Sequence, residues 1–246
     1  MTATITPPPG VPGLGRTDPA VRLGDYERAL EFYLGLPSTV VDRVVFADNS
    51  ASDVTTLLAL AERARAGKEV EVLSFDGLDY PVEFGRAFGE TKLVETALDN
   101  SRLLGELADD ELLWKLTGRL RFTNLARLVA SAPAACDLYA DFRRFPHRWV
   151  DLRVFACTPR AFRRLFAARA DLLRESELGG FRSPEQVLYG ELLGARDRWR
   201  IVPRLKVEPR IAGHAGFDGS DYDRPGRRAW MAARSAIRRV APGLWI

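Results

Sequence analysis

The chain has 246 residues, 46% of them hydrophobic and 28% charged, with a formal net charge of +3. That composition is ordinary for a globular protein and excludes extended disorder, and no apolar run approaches the roughly 18 residues of a membrane span. Residues 1–9 lack the basic start and apolar stretch of a secretory leader. Cys136 and Cys157 are the only cysteines and lack metal-ligand spacing, so neither a disulfide framework nor a zinc site is expected, and a reducing cytoplasm fits. The charge is uneven. Residues 41–111 hold 16 acids and 7 bases, a net of −9, whereas residues 112–246 hold 13 acids and 26 bases, a net of +13. The second half should attract an anion. Its bases are nearly all Arg, which suits bidentate phosphate recognition.

Residues 2–6 alternate β-branched side chains and read as a short strand. Pro7-Pro8-Pro9 stops it, and the Pro/Gly-rich stretch to Gly15 is a loop. Asp18-Pro19 marks a helix start, with Tyr26, Ala29, Leu30, Tyr33 and Leu34 at helical spacing. Residues 40–47 form an apolar run that suits a buried parallel strand. Asp53 is placed to cap the next helix, whose apolar face carries Val54, Leu57, Leu58 and Ala61. Residues 70–75 read as a third strand, 76–89 as a surface loop, 90–104 as a helix and 112–116 as a fourth strand. A short helix follows at 125–130, then a strand at 150–157, a helix opened by Pro159, a break at Gly179-Gly180, a helix over 184–193 and a strand over 199–202. Residues 210–222 are Gly-rich and irregular, and 227–240 form a basic amphipathic helix.

Strands alternating with helices predict an α/β domain: one mostly parallel, Rossmann-like sheet flanked by helices over residues 1–222, with residues 223–246 as the C-terminal helical appendage. Ligands on such sheets bind beyond the carboxyl ends of the strands. Thr6, Asp48, Phe75 and Thr117 fall at those ends.

The stretch from Ala29 to Ala61, with Val44-Val45-Phe46-Ala47-Asp48-Asn49-Ser50 and Asp53, resembles the opening of inverting glycosyltransferases of the GT-A fold. Gly89-Glu90 at a helix start, followed by Lys115-x-Thr117-Gly118-Arg119, is similar to a bacterial capsule or surface-polysaccharide branch of that family. Leu178-Gly179-Gly180-Phe181 with Pro184-Glu185 resembles the later loop and helix that supply the catalytic carboxylate. The resemblance spans most of residues 1–222. It implies a nucleotide-sugar donor, a glycan or lipid-linked acceptor, and a cytoplasmic enzyme able to sit at the inner face of the membrane. Glu185 is then the general base, and Lys115 and Arg119 hold the leaving phosphate. Thr6, Arg22, Asp48, Asn49, Gly89, Glu90, Thr117, Gly118 and His214 become donor-binding candidates.

The chain departs from the family at the fourth strand, where the metal-binding Asp-x-Asp is replaced by Lys115 and Arg119. No metal or other cofactor is therefore expected, with fixed cations offsetting the charge of the leaving group. Asp221-x-Asp223 is the late pair that would hold Mg²⁺ or Mn²⁺ in a metal-dependent variant. Two other readings compete. A nucleotidyltransferase would need a phosphate-cradling loop after the first strand, where the triple Pro removes amide donors. A non-enzymatic nucleotide- or nucleic-acid-binding module would use the basic half, but no RNA- or DNA-binding motif is present, and nucleic acid is not expected as a partner. The C-terminal helix mixes Arg227, Arg228, Arg234, Arg238 and Arg239 with Trp230, Met231, Ile237 and Val240, as an interfacial helix at an anionic membrane does. A helix packed on the domain is the alternative.

Overall fold

The computed structural model describes residues 1–64, 67–180, 182–241 and 243–245; Phe181, singled out above, lies outside them. The strands are β1 (Thr2–Ala3), β2 (Arg43–Asp48), β3 (Glu69–Ser74), β4 (Leu113–Leu116), β5 (Arg121–Phe122), β6 (Leu138–Arg143), β7 (Trp149–Cys157), β8 (Ile201–Val202) and β9 (Ile211–Ala212). The helices are α1 (Pro19–Leu34), α2 (Thr55–Glu62), α3 (Gly85–Asn100), α4 (Arg102–Gly105), α5 (Leu125–Ala130), α6 (Pro159–Leu165), α7 (Pro184–Gly194) and α8 (Pro225–Val240). The protein is a mixed α/β fold.

β1, β2 and β3 form a parallel sheet in the order β1-β2-β3, and β4, β7, β6 and β8 form a second in the order β4-β7-β6-β8. A parallel bridge between Thr2 and Thr117 joins the free edge of β1 to the end of β4. The joined order is β3-β2-β1-β4-β7-β6-β8. The expected parallel sheet is corrected at β7, which runs antiparallel to both β4 and β6, while β6 and β8 are parallel. β5 and β9 pair separately as a short antiparallel ribbon.

Local chemistry accounts for most boundaries. Asp18 accepts hydrogen bonds from the Ala20 and Val21 amides, and Pro19 occupies the first turn of α1, where no donor is needed. Tyr26, Ala29, Leu30, Tyr33 and Leu34 are buried as the spacing requires. Tyr26 meets Phe46 of β2 edge-on at 5.7 Å, the arrangement that the ring quadrupoles favour. Ser183 and Gln186 form a reciprocal capping box at α7, and α5 has the expected bounds. Residues 85–89, expected in a loop, are instead the first turn of α3. Gly89 is in that turn because a Cβ there would lie 1.8 Å from the Tyr80 hydroxyl. β6 was not anticipated at all. It carries Asp141 and Arg143 yet is buried along its whole length.

The two sheets meet at backbone contact distance. The Gly118 amide donates to Thr2 O at 2.9 Å, and a Cβ on Gly118 would sit 2.5 Å from that oxygen. Gly118→Ala should therefore cost about 1–3 kcal/mol through forced separation of β1 from β4. Gly190→Ala, in the body of α7 with no atom within 4 Å of the added methyl, should be neutral or stabilising by up to about 1 kcal/mol. Urea unfolding midpoints of the two variants test the contrast. Equal midpoints would mean that the seam tolerates a methyl.

Candidate functional site

Moving from β1 the chain passes to β2 and β3 on one side, while β4 lies on the other side. A crevice opens outside the carboxyl ends of strands at such a reversal. Here a cleft of about 610 Å³ is found at that place, lined by Thr2, Thr4, Thr117 and Arg119. Because β7 runs the opposite way, its first residues reach the same end of the sheet, and Trp149, Asp151 and Arg153 line the cleft too. The first turns of α3 and α7 close the other sides with Arg86, Gly89, Glu90 and Glu185. Both helices direct their positive dipole ends at the space.

Two guanidinium groups stand close together at the strand ends. Arg22 is buried, and its side chain donates to Thr4 O (2.8 Å), Arg16 O (2.9 Å) and the Tyr26 hydroxyl (3.0 Å), all neutral acceptors. Burial lowers its pKa, and the nearby Arg119 charge adds to that despite the hydroxyl of Tyr26. Arg119 is half-buried, and its one hydrogen bond is a long donation from Nε to His214 O (3.4 Å). Its guanidinium lies against Gly216, where a Cβ would come within 2.4 Å of it. Among the described residues neither arginine forms an ion pair, although the Asp25 charge acts on Arg22 and the Glu90 charge on Arg119 at longer range.

Behind them is a paired charge. Lys115 Nζ contacts Glu90 Oε1 at 2.6 Å and also donates to Leu152 O (2.7 Å) and Thr117 Oγ1 (3.4 Å). Thr2 Oγ1 donates to the same Glu90 oxygen at 2.6 Å. Burial opposes the Glu90 carboxylate, but Lys115 and these hydrogen bonds outweigh it, and its pKa falls below the usual value. Burial also lowers Lys115, against the pull of Glu90. With three acceptors around one ammonium, we read the pair as ionised.

Glu185 lines the cleft from the start of α7. Glu175 lies near it, accepting the Arg86 amide at 3.1 Å, and fills the space that a Cβ on Gly85 would need. Gly85 has φ +82°, a second reason for glycine at that point. Burial raises the Glu175 pKa above the ordinary glutamate value; the Arg86 amide and charge oppose this, and the Glu185 charge adds to it.

Of the residues expected to contact a donor or to act in catalysis, Glu185, Arg119, Arg22, Gly89, Glu90 and Thr117 do line this cleft. Six are placed otherwise. Lys115 borders a smaller cavity of about 210 Å³ instead, and its donors are consumed by Glu90, Leu152 and Thr117. Asp48 is wholly buried and accepts from the Ile5, Ser50 and Ser52 amides and from the Ser50 hydroxyl, so it ties the loops after β1 and β2 together and has no capacity for a base or ribose. Asn49 Oδ1 accepts from Thr4 Oγ1 at 2.7 Å. Thr6 is exposed and bonds to Ser50 and Ser52. Gly118 spends its amide on Thr2, and His214 offers its carbonyl to Arg119. Sequence reasoning missed Arg86, Arg153 and Glu175. The alternation of Asp151 and Arg153 in an apolar strand was the available signal for Arg153.

Asp151 and Arg153 also begin a buried ion network. Arg153 grips Asp151 with two bonds of 2.8 and 2.6 Å and donates to the Tyr222 hydroxyl at 2.9 Å. Arg143 bridges Asp151 (2.9 Å) and Asp141 (3.0 Å). Asp141 in turn receives Arg238 of α8 at 2.8 and 3.1 Å, and Glu208 receives Arg238 and Arg234. Burial opposes the Asp151 carboxylate, yet Arg153 and Arg143 hold it well below the usual carboxylate range. Asp141 is lowered likewise, by Arg143 and Arg238 against burial. Glu208 is raised, by burial and by Asp141. Among the described residues no group of three His, Cys, Asp or Glu side chains is placed to hold a metal ion. Asp223, half of the late acidic pair, is engaged by Arg228 at 2.9 Å and Arg121 at 3.8 Å.

Comparison of the chain with protein-family models, curated proteins and solved structures finds no match.

Two expectations follow from the charges. Lys115→Met strands the Glu90 carboxylate. Full burial would make that cost about 3–5 kcal/mol, and the 30% exposure of the Glu90 side chain brings it to about 3 kcal/mol or less. Glu90→Gln combined with Lys115→Met should regain part of the loss, as a double-mutant cycle in urea will show. The depressed Asp141 and Asp151 values stabilise the fold above the unfolded aspartate value of about 3.9, and that stabilisation is lost as pH falls towards their folded values. Glu208, being raised, works in the opposite sense. Two groups against one predict a melting temperature that declines below about pH 5. Asp151→Asn should melt lower at pH 7 and show a shallower acid decline. An unchanged acid decline in that variant would remove Asp151 from the account.

Proposed function

We propose that this chain is a glycosyltransferase that takes a nucleotide-sugar donor in the 610 Å³ cleft and transfers the sugar to a glycan or lipid-linked acceptor. The observation that carries the proposal is the pair Arg22 and Arg119, neither in an ion pair among the described residues, beyond the carboxyl ends of β1 and β4 and in one cleft with Glu185. Neighbouring like charges without a direct ion-pair partner favour an anionic ligand, and the guanidinium fork suits phosphate oxygens. Six strands sharing one direction, with only β7 against them, are compatible with a Rossmann-like sheet of the GT-A kind.

In this reading the acceptor oxygen attacks the anomeric carbon as the bond from that carbon to the phosphate oxygen breaks. Glu185 takes the hydroxyl proton, and the phosphate leaves with its electron pair against Arg119. Inversion follows from a single displacement. Lys115 acts at one remove by holding Glu90 ionised. Glu90 faces the cleft and has an oxygen left for a sugar hydroxyl. Fixed guanidinium charge does the work that a metal would do, so no metal is required.

The competing readings are less well supported. Pro7 and Pro8 line the cleft, and a loop without those amides cannot cradle phosphates as a nucleotidyltransferase loop does. Many arginines of the basic half are already spent on Asp137, Asp141, Asp151 and Glu208, which disfavours a nucleic-acid surface.

Thermal shift with UDP, GDP and CMP should identify one stabilising nucleotide, and release of that nucleotide from its sugar conjugate should follow. Glu185→Gln should lower transfer by about 10²–10⁴-fold with donor binding nearly intact. Arg119→Ala should weaken donor binding and cost on the order of 2.7–4 kcal/mol in the transition state, only partly recovered in Arg119→Lys. EDTA should leave most activity in place. No stabilisation by any nucleotide would overturn the reading. Loss of activity in EDTA with recovery in Mn²⁺ would overturn its metal-free form.

A further inference from the structure

The sequence pattern of α8 left its orientation open, and the structure inverts the usual rule for an amphipathic helix. Its arginines Arg234 and Arg238 are buried, each 6% exposed, in the ion network on Asp141 and Glu208. They are therefore not available to lipid headgroups, which corrects the expected contact set. The helix turns outward Arg227, Arg228 and Arg239 together with apolar side chains. Trp230 is 56% exposed and Val240 82%, with the small residues Ala229, Ala233 and Ala236 also exposed.

A second segment joins this face. The tip of the β6–β7 hairpin folds against the chain beyond α8. The Arg144 and Phe145 amides both donate to Trp245 O (2.6 and 3.2 Å), and the Arg144 guanidinium stacks on the Trp245 ring at 4.2 Å. Phe145 is 66% exposed, and Leu244, the residue before Trp245, is 56% exposed. Two separate segments thus present large apolar side chains to solvent in one region. Isolated exposed hydrophobics are ordinary, but exposed large apolar side chains on two segments that meet at Trp245 point to an interaction surface.

The charge around it identifies the occupant. Residues 142–150 and 224–245 contain no Asp or Glu. Arg144, Arg148, Arg224, Arg228 and Arg239 on these same segments are exposed. An apolar face flanked by several exposed arginines, of which Arg228 is paired with Asp223, complements a bilayer with anionic headgroups. Trp149, directly after the hairpin tip, lines the cleft, so a bilayer seated here would lie next to the cleft on the hairpin side.

We propose that Phe145, Trp230, Val240 and Leu244 form a docking surface for an anionic lipid bilayer. The docking itself is independent of the proposed transferase activity. Its consequence, an acceptor presented from the lipid phase, rests on that activity.

Flotation of the full chain with vesicles of phosphatidylcholine, or of phosphatidylcholine with 30 mol% phosphatidylglycerol (about one anionic lipid in three, enough to set up a surface potential), tests the surface. The chain should float with the anionic vesicles, stay behind with the neutral ones, and release as salt screens the arginines. Val240→Glu and Leu244→Glu remove no packed side chain. Each should lower the floated fraction at least about tenfold with unchanged melting temperature, the order expected from losing one buried aliphatic side chain and adding an opposed charge. Wild-type protein that stays at the bottom, or glutamate variants that float as well as wild type, overturn the proposal. So does a wild-type dimer in light scattering that Val240→Glu makes monomeric, because the face would then belong to a second copy. Nucleotide thermal shifts on the same preparations separate the two proposals. Flotation without nucleotide binding leaves the surface standing and removes the transferase, and the converse removes only the surface.

Discussion

The fold depends on the seam where β1 meets β4. A single parallel bridge, Thr2 to Thr117, and one amide bond from Gly118 to Thr2 make one sheet of two. The same residues carry the polar chemistry. Thr2 donates to Glu90, Glu90 pairs with Lys115, and Lys115 reaches back to Leu152 on β7. Each buried polar group therefore satisfies another across the seam, and removing one leaves its partners unmatched at the full desolvation cost. The cleft stands on this join. Thr117 and Arg119 follow the bridge directly, and Glu90 is fixed by the pair.

The ion network under α8 works differently. Seven charged side chains, Asp141, Asp151, Glu208, Arg143, Arg153, Arg234 and Arg238, lose water together. Desolvation on that scale cancels much of the Coulomb gain, so the network is a poor source of net stability. It does fix orientation. A guanidinium fork accepts only a few placements against a carboxylate. Two of them, one turn apart on α8, set the helix's rotation as well as its position. That rotation puts Arg234 and Arg238 inward and leaves the alanines, Trp230 and Val240 outside.

Much of this was legible in the sequence where the governing interaction is local. Asp18-Pro19, the helix opening at Pro184 and the apolar spacing of α1 act within a turn or two of the chain and can be read directly. The failures share a cause. β6 reads as Leu-Tyr-Ala-Asp-Phe-Arg, and its two charges argue against burial until Arg238, 97 residues away from Asp141, is known to meet one of them. The glycines of α3 look like loop residues because the side chains that demand them, Tyr80 and Glu175, arrive from elsewhere. Asp48 was read correctly as a strand-end carboxylate, but whether it faces a ligand depends on Ile5, Ser50 and Ser52 leaving it an empty lone pair, and they do not. Arg153 joins the cleft only because β7 is antiparallel, and no local pattern encodes a strand's direction.

The seam also dictates the order in which the molecule can assemble. Thr2 bonds to the Leu116 carbonyl across 114 residues of chain, and Arg153 reaches Tyr222 across 69. Contacts of such separation form late, because loop closure must come before them. During synthesis β1 is made first but lacks its β4 neighbour until more than a hundred further residues have emerged. At about 5–20 residues per second that is an interval of several seconds. In that interval β1 has β2 on one side only and an unpaired edge on the other, open to mispairing with another chain. Its two-residue length and the prolines after it limit what an incoming strand can grip. The cleft therefore belongs to the last stage of folding, and a chain arrested before β4 would contain a paired β1-β2-β3 sheet with no site.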